Sequence, residues 1–159
     1  MTALPNLPSP PCRAKVLVVD DEPVIRQLEA GVLGELGHQV IQASNGEEAL
    51  RLIGEDPPDL VLLDIMMPGL TGIEVCRQLR EKKSTRTIPV IVVSGVDAKT
   101  ALEESIIAGA DDFLAKPIDS LELMVRVRSI LRVRNINDQE KRVEAYVKHL
   151  QSMRKVKKP

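Results

Sequence analysis

Five short apolar runs, separated by segments of helical period, set the rhythm of the chain. They are VLVVD (residues 16–20), QVIQA (39–43), LVLLD (60–64), PVIVVS (89–94) and DFLAK (112–116). Three of them are nearly continuous Val, Ile and Leu, the pattern of strands covered on both faces. Between them lie PVIRQLEAGVLGELG, NGEEALRLIGED, TGIEVCRQLREKK and DAKTALEESIIAGA, each with apolar positions three or four apart. Punctuation supports these cuts. Pro23 suits a first helical turn, Gly37 and Gly109 end helices, and Asn45-Gly46 and Pro57-Pro58 break the chain. Strands alternating with helices of this length build parallel βαβ units with right-handed crossovers. The prediction is one doubly wound α/β domain over about residues 13–132, with a five-stranded parallel sheet and no internal repeat.

A last helix is expected to start near Asp119, an N-cap with Glu122 three residues on. From Ser120 to Lys158 there is neither glycine nor proline, so nothing obvious stops it. Ile136, Gln139, Val143, Tyr146, Leu150 and Met153 recur at spacings of three and four, a short heptad stripe. Residues 133–159 therefore read as a basic helical extension or linker. Its bland form is one long amphipathic helix; its sharper form is a signalling helix that pairs across a dimer as a coiled coil.

Charge separates these two parts. Residues 133–159 hold eight Lys or Arg against three acids, so the negative excess of a chain with formal net charge −1 lies in the body. The first residues, MTALPNLPSPP, carry neither a basic n-region nor an apolar h-region; residues 1–12 read as a disordered Pro-rich segment rather than a secretory signal. No run approaches the roughly 20 apolar residues of a membrane span. Cys12 and Cys76 show no metal spacing and fit reduced thiols, with a cytoplasmic location expected. Phe113 and Tyr146 are the only aromatics, which argues against base stacking. Despite the basic tail, no direct nucleic-acid or membrane binding is expected. His38 and His149 lack ligand spacing, and Cys76 reads as a small core residue.

The candidate chemistry sits at the strand ends. Asp20 and Asp21 end the first strand, Asp64 the third, Ser94 the fourth and Lys116 the fifth. In open α/β sheets ligands bind beyond the carboxyl ends of the strands, and in the flavodoxin-like order 2-1-3-4-5 strands 1 and 3 are neighbours at the switch point. The three aspartates then share one pocket. Three carboxylates that close cannot all stay ionised unaided; a hard cation with oxygen ligands, such as Mg²⁺, relieves them. With Lys116 and the Ser94 hydroxyl nearby, Asp64 reads as the nucleophile of a phosphoryl-transfer site. Singly, each residue has a plainer reading. Asp20 to Glu22 could cap a helix, Asp64 start a turn, Ser94 cap a segment and Lys116 sit in solvent. Their joint placement at four strand ends favours the site.

Taken together, VLVVDDEP, PDLVLLDIMMPGLTGIEVCRQLR, IPVIVVSG and GADDFLAKPI resemble the successive signatures of the response-regulator receiver domain of two-component signalling, across about residues 14–132. The resemblance implies that Asp64 accepts a phosphoryl group from a sensor histidine kinase or phosphotransfer protein. It implies Mg²⁺ held by Asp21, Asp64 and the backbone carbonyl of Met66, with Asp20 acting mainly through water. Lys116 would hold a phosphoryl oxygen ahead of a cis Lys116-Pro117 bond, and Ser94 with Phe113 would form the switch pair. The output would pass through the face made by the fourth helix, fifth strand and fifth helix, or through the C-terminal helix. Either could serve a homodimer, an effector domain outside this sequence or a downstream protein. Gly95 stands where alanine is commoner in the family, opening the pocket to solvent, and Met66 offers no polar group to orient an attacking water. Slow self-dephosphorylation is expected, and no catalysis beyond the domain's own phosphorylation and dephosphorylation. A phosphohydrolase of the haloacid-dehalogenase type is the chief alternative. It needs an acid two residues after the nucleophile and a cap; Ile65 and Met66 follow Asp64, and no cap fits this length. A module that no longer takes phosphate and serves only as an interaction surface is the third reading.

Overall fold

The computed structural model describes residues 13–95 and 98–156. The Pro-rich segment expected to be disordered lies outside those residues, as do Cys12 and the final KKP. Within them the chain runs β1 (Lys15–Val19), α1 (Pro23–Glu35), β2 (Gln39–Ala43), α2 (Gly46–Glu55), β3 (Leu60–Asp64), α3 (Gly72–Glu81), β4 (Val90–Ser94), α4 (Ala98–Ala108), β5 (Asp112–Ala115), α5 (Ser120–Arg132) and α6 (Gln139–Val156). All strand pairs are parallel, and the sheet order is β2-β1-β3-β4-β5, the doubly wound α/β fold expected from the alternation.

Burial follows the pattern of the runs. β3 and β4 are buried at every position, since helices cover both faces of the sheet. One core layer gathers Leu17, Val19, Leu63, Val92, Ile53 and Leu79; the other gathers Val16, Val18, Leu62, Ile91, Leu33 and Val127. Alternate side chains of one strand thus feed opposite layers. Pro23 opens α1, Asn45 caps α2 by accepting from Glu48 N–H, and Asp119 caps α5 by accepting from Glu122 N–H. Gly37 and Gly109 take positive φ just past helices, which residues with a Cβ adopt only at a cost. Cys76 is buried, as expected, and burial pushes its thiol up to about 11. Among the described residues no helix is long and apolar enough to cross a membrane.

The uninterrupted last helix does not form. The chain stops α5 at Arg132, turns through residues 133–138 and starts α6 antiparallel to it. The turn has no glycine or proline but is rich in Asn and Asp, whose side chains compete for backbone groups. Asp138 then accepts from Lys141 N–H and restarts the helix. Tertiary burial decides the matter. The stripe proposed for pairing across a dimer lies on its own domain, where Tyr146 is 2% exposed and Leu150 joins the core layer under α5.

Candidate functional site

Three carboxylates meet at the carboxyl edge of the sheet. Asp20 follows β1, and its N–H still donates to Ala43, continuing the ladder by one step (3.2 Å). Its Oδ1 accepts from Glu22 N–H (2.9 Å), and Arg26 Nη1 donates to its carbonyl oxygen (2.9 Å). Together these fix the turn into α1. Glu22, the N-cap residue of α1, makes no side-chain cap bond, so the acids are not there to cap that helix. Asp64 is the last residue of β3, beside β1. One carboxylate oxygen from each of Asp20, Asp21 and Asp64 lies within 4.8 Å of the others.

Lys116, just past β5, is the cation that answers them. Its Nζ lies 3.1 Å from Asp20 Oδ2 and 3.4 Å from Asp64 Oδ2. Burial pulls this ammonium down, but the two carboxylates outweigh it and hold the group above its ordinary value. The Lys116-Pro117 peptide is cis, and Lys116 N–H donates to Ser94 C=O (2.8 Å), anchoring the start of that turn to β4. Asp20 and Asp64 are almost wholly shielded from solvent, at 0% and 3% exposure. Burial, then the Asp20 charge, raise Asp64 from its usual 3.8 to about 6, against the pull of Lys116. One lysine does not balance three acids. The donor set is all oxygen, without sulfur or imidazole, which suits a hard divalent cation.

Ser94 ends β4, one step past the Val93 that pairs with Asp64, and is buried. Phe113 does not join the acidic cluster. It lies in register with Val92, half-buried, and lines a cavity of about 490 Å³ with Leu102, Ile106 and Val143. The Met66 side chain points largely to solvent, 57% exposed, while its N–H donates to Asp64 Oδ1 at a long 3.4 Å. Gly95 is exposed beside Lys116. His38 accepts from Ala14 N–H and His149 pairs with Ser129, so neither belongs to the site.

Two residues escaped the sequence reading. Glu29, on the inner face of α1, is 2% exposed, and its Oε1 meets no hydrogen-bonding group among the described residues. Burial, reinforced by Asp20, raises it to about 8, so it is protonated at neutral pH beneath the acidic rim. The available signal was its place four residues before Leu33 on the apolar stripe. Gly72, at the start of α3, packs so tightly that a Cβ there would fall 2.2 Å from the Asp64 carbonyl oxygen. Thr71 and Glu74 cap that helix reciprocally, which holds the close approach in place.

Comparison with known proteins agrees with this geometry. The family described as the response regulator receiver domain matches residues 16–128. The response regulator PleD of Caulobacter vibrioides is 42% identical over 133 residues, covering 83% of this chain and 29% of PleD. The transcriptional regulatory protein ResD of Bacillus subtilis is 43% identical over 118 residues, 74% of this chain and 48% of ResD. The chain thus spans less than half of either relative. Among solved structures, the receiver domain of a Francisella response regulator superposes with a TM-score of 0.70 at 36% identity, over 76% of this chain and 98% of that one. CheY4 of Vibrio cholerae superposes with a TM-score of 0.70 at 29% identity, over 74% and 98%. By sequence, strand order and aspartate cluster alike, the chain belongs to the response regulator receiver domains of two-component signal transduction.

Proposed function

We propose that this domain accepts a phosphoryl group on Asp64 in a Mg²⁺-dependent reaction with a histidine kinase or phosphotransfer protein, and signals through the change that follows. One observation carries the reading: three carboxylates within 4.8 Å share a single lysine that touches two of them. Asp21, Asp64 and the Met66 carbonyl would hold the cation, with Asp20 acting through water. Mg²⁺, when bound, would neutralise charge on the transferred oxygens. A phosphoryl group passes from a donor imidazole nitrogen to Asp64 Oδ; the N–P bond breaks, an O–P bond forms, and the imidazole recovers a proton from solvent. Asp64 must be ionised to attack. With its carboxyl raised to about 6, Lys116 and the cation keep that form populated at neutral pH. Lys116 would then follow a phosphoryl oxygen, and the Ser94 hydroxyl would donate to another, freeing space into which the Phe113 ring turns. That moves the α4-β5-α5 face, the proposed output surface toward a second copy, an effector domain or a downstream protein.

The test is intact mass after incubation with Mg²⁺ and acetyl phosphate. One added phosphoryl group, lost in Asp64→Asn and in EDTA, is the expected result. Failure to gain it, or its persistence in Asp64→Asn, overturns the assignment, and steady release of phosphate points to a phosphohydrolase instead. Met66, exposed and without a polar group to orient an attacking water, predicts a phosphorylated lifetime of minutes or longer; decay within seconds contradicts that part.

A further inference from the structure

Helix α6 is held against the domain at three places along its length. At its start, Arg142 is fully buried; its Nε donates to Asp111 Oδ1 (2.8 Å), and its Nη1 donates to Thr87 C=O (2.8 Å) and Ile136 C=O (3.2 Å). The Gln139 amide donates to Gly109 C=O alongside. At mid-helix, the Tyr146 hydroxyl donates to Asp112 Oδ2, the oxygen that also accepts from Arg126 Nη1 of α5 (2.6 Å). Beyond it, Leu150 and Met153 lie over an open groove of about 400 Å³ lined by Leu121, Glu122 and Val125 of α5. The helix is pinned at one end and latched in the middle, and its far end lies over that groove with His149 Nδ1 2.9 Å from Ser129 Oγ of α5.

The latch adjoins the proposed switch residue. Asp112 precedes Phe113 in β5, and its Oδ1 accepts from Phe113 N–H (2.7 Å). One carboxylate therefore joins α5, α6 and the backbone of Phe113. Phe113 and Val143 also share the walls of a cavity lined by Leu102 and Ile106 of α4 and by Asp112 itself. A ring that turns inward withdraws support from Val143 and shifts the backbone carrying Asp112. Arg142 does not itself line that cavity, although its partner Asp111 and the neighbouring Gln139 do. Past Tyr146 burial is only partial: Val147 is 43% exposed, Leu150 and Met153 are partly buried, and Ser129 of α5 meets His149 and Met153.

Building on the phosphoacceptor reading, we propose that α6 is a docked arm released by phosphorylation of Asp64. The Asp112–Tyr146–Arg126 junction is its latch and Arg142 the pivot, so that residues 143–156 leave the α4-β5-α5 face while residues 139–142 stay. The unphosphorylated domain covers its own output surface.

Hydrogen exchange read by mass spectrometry tests this on the full chain with Mg²⁺, with and without acetyl phosphate, alongside intact mass as the measure of phosphorylation. The expected result is exchange in residues 143–156 at least ten-fold faster in the phosphorylated form, with β1 unchanged. Tyr146→Phe, which keeps the ring and removes the hydroxyl, should speed exchange in the same residues several-fold without phosphate, as should Asp112→Asn. A fully phosphorylated chain whose 143–156 exchange is unaltered overturns the arm while leaving the phosphoacceptor intact. Wild-type exchange in Tyr146→Phe overturns the latch. A chain that takes no phosphoryl group overturns both readings.

Discussion

The two edges of the sheet handle charge in opposite ways. At the carboxyl edge, Asp20, Asp21 and Asp64 share one ammonium, Lys116. At the amino edge, a single carboxylate, Asp111, takes two guanidiniums. Arg80 Nη2 reaches its Oδ2 at 3.0 Å and Arg142 Nη2 its Oδ1 at 2.8 Å, while Val90 N–H donates to it as well (2.8 Å). Both clusters are largely buried, so both had to offset a desolvation cost of several kcal/mol per charge. The amino edge does so internally: each Asp111 oxygen meets an arginine, and the carbonyls of Gly109, Ile88, Thr87 and Ile136 take up further guanidinium N–H groups. The carboxyl edge remains short of positive charge, with three carboxylates to one lysine. The Asp111 cluster ties β4, β5, α3 and α6 together; the acidic one, in the proposed function, takes a cation and a phosphoryl group.

Breaking the saturated edge should have the largest effect. Asp111→Asn leaves Arg80 and Arg142 buried without their counter-charge, and should cost about 4 kcal/mol of unfolding free energy in urea. A loss below about 1 kcal/mol would mean that the arginines find solvent and that the two edges do not differ as described. Conversely, removing an acid beneath the unbalanced edge should stabilise the protein. Glu29 sits at about 8 when folded against its usual 4.5, so the folded state keeps a proton that the unfolded chain has released. Glu29's own contribution to stability is then fully present below about pH 4.5 and is lost as pH rises toward 8. Glu29→Gln should flatten that slope and add about 2 kcal/mol at pH 8 while changing little at pH 4. Thermal melts across this range in EDTA give the answer, and a slope unchanged by the substitution would refute it. The smallest effect is sharpest in meaning. Asp64, raised from 3.8 to about 6, also costs stability as pH rises through that window. Asp64→Asn should gain about 1 kcal/mol at pH 7 without Mg²⁺, the lost Lys116 contact offsetting part of the relief. In millimolar Mg²⁺ the wild type should recover that difference through binding, and the mutant should not.

Much of this molecule was legible in its sequence because it is written in local terms. Apolar runs of strand length bounded by Pro, Gly and Asn gave five strands within a residue or two. Their order puts Asp20, Asp21, Asp64, Ser94 and Lys116 along one edge whatever the details of packing. Gly72 was invisible, and Glu29 was marked only by its place on the apolar stripe of α1, for the opposite reason. A helical glutamate reads as solvated until the neighbouring element covers it, and nothing local tells that Gly72 must pass within a Cβ's reach of the Asp64 carbonyl.

The tail marks the boundary most clearly. Its heptad stripe and its lack of Gly or Pro allow a continuous helix, a dimer seam or a folded-back arm with equal ease. Local propensity differs among these by tenths of a kcal/mol per residue. Burying Tyr146 and pairing Arg142 with Asp111 is worth several times that, and only the folded domain offers those partners. The sequence alone therefore determined the sheet and the acidic edge, where periodicity and strand order suffice. The tertiary structure decided where charges are balanced, which acid is protonated and where the last helix lies, because those follow from desolvation and from contacts between residues tens of positions apart.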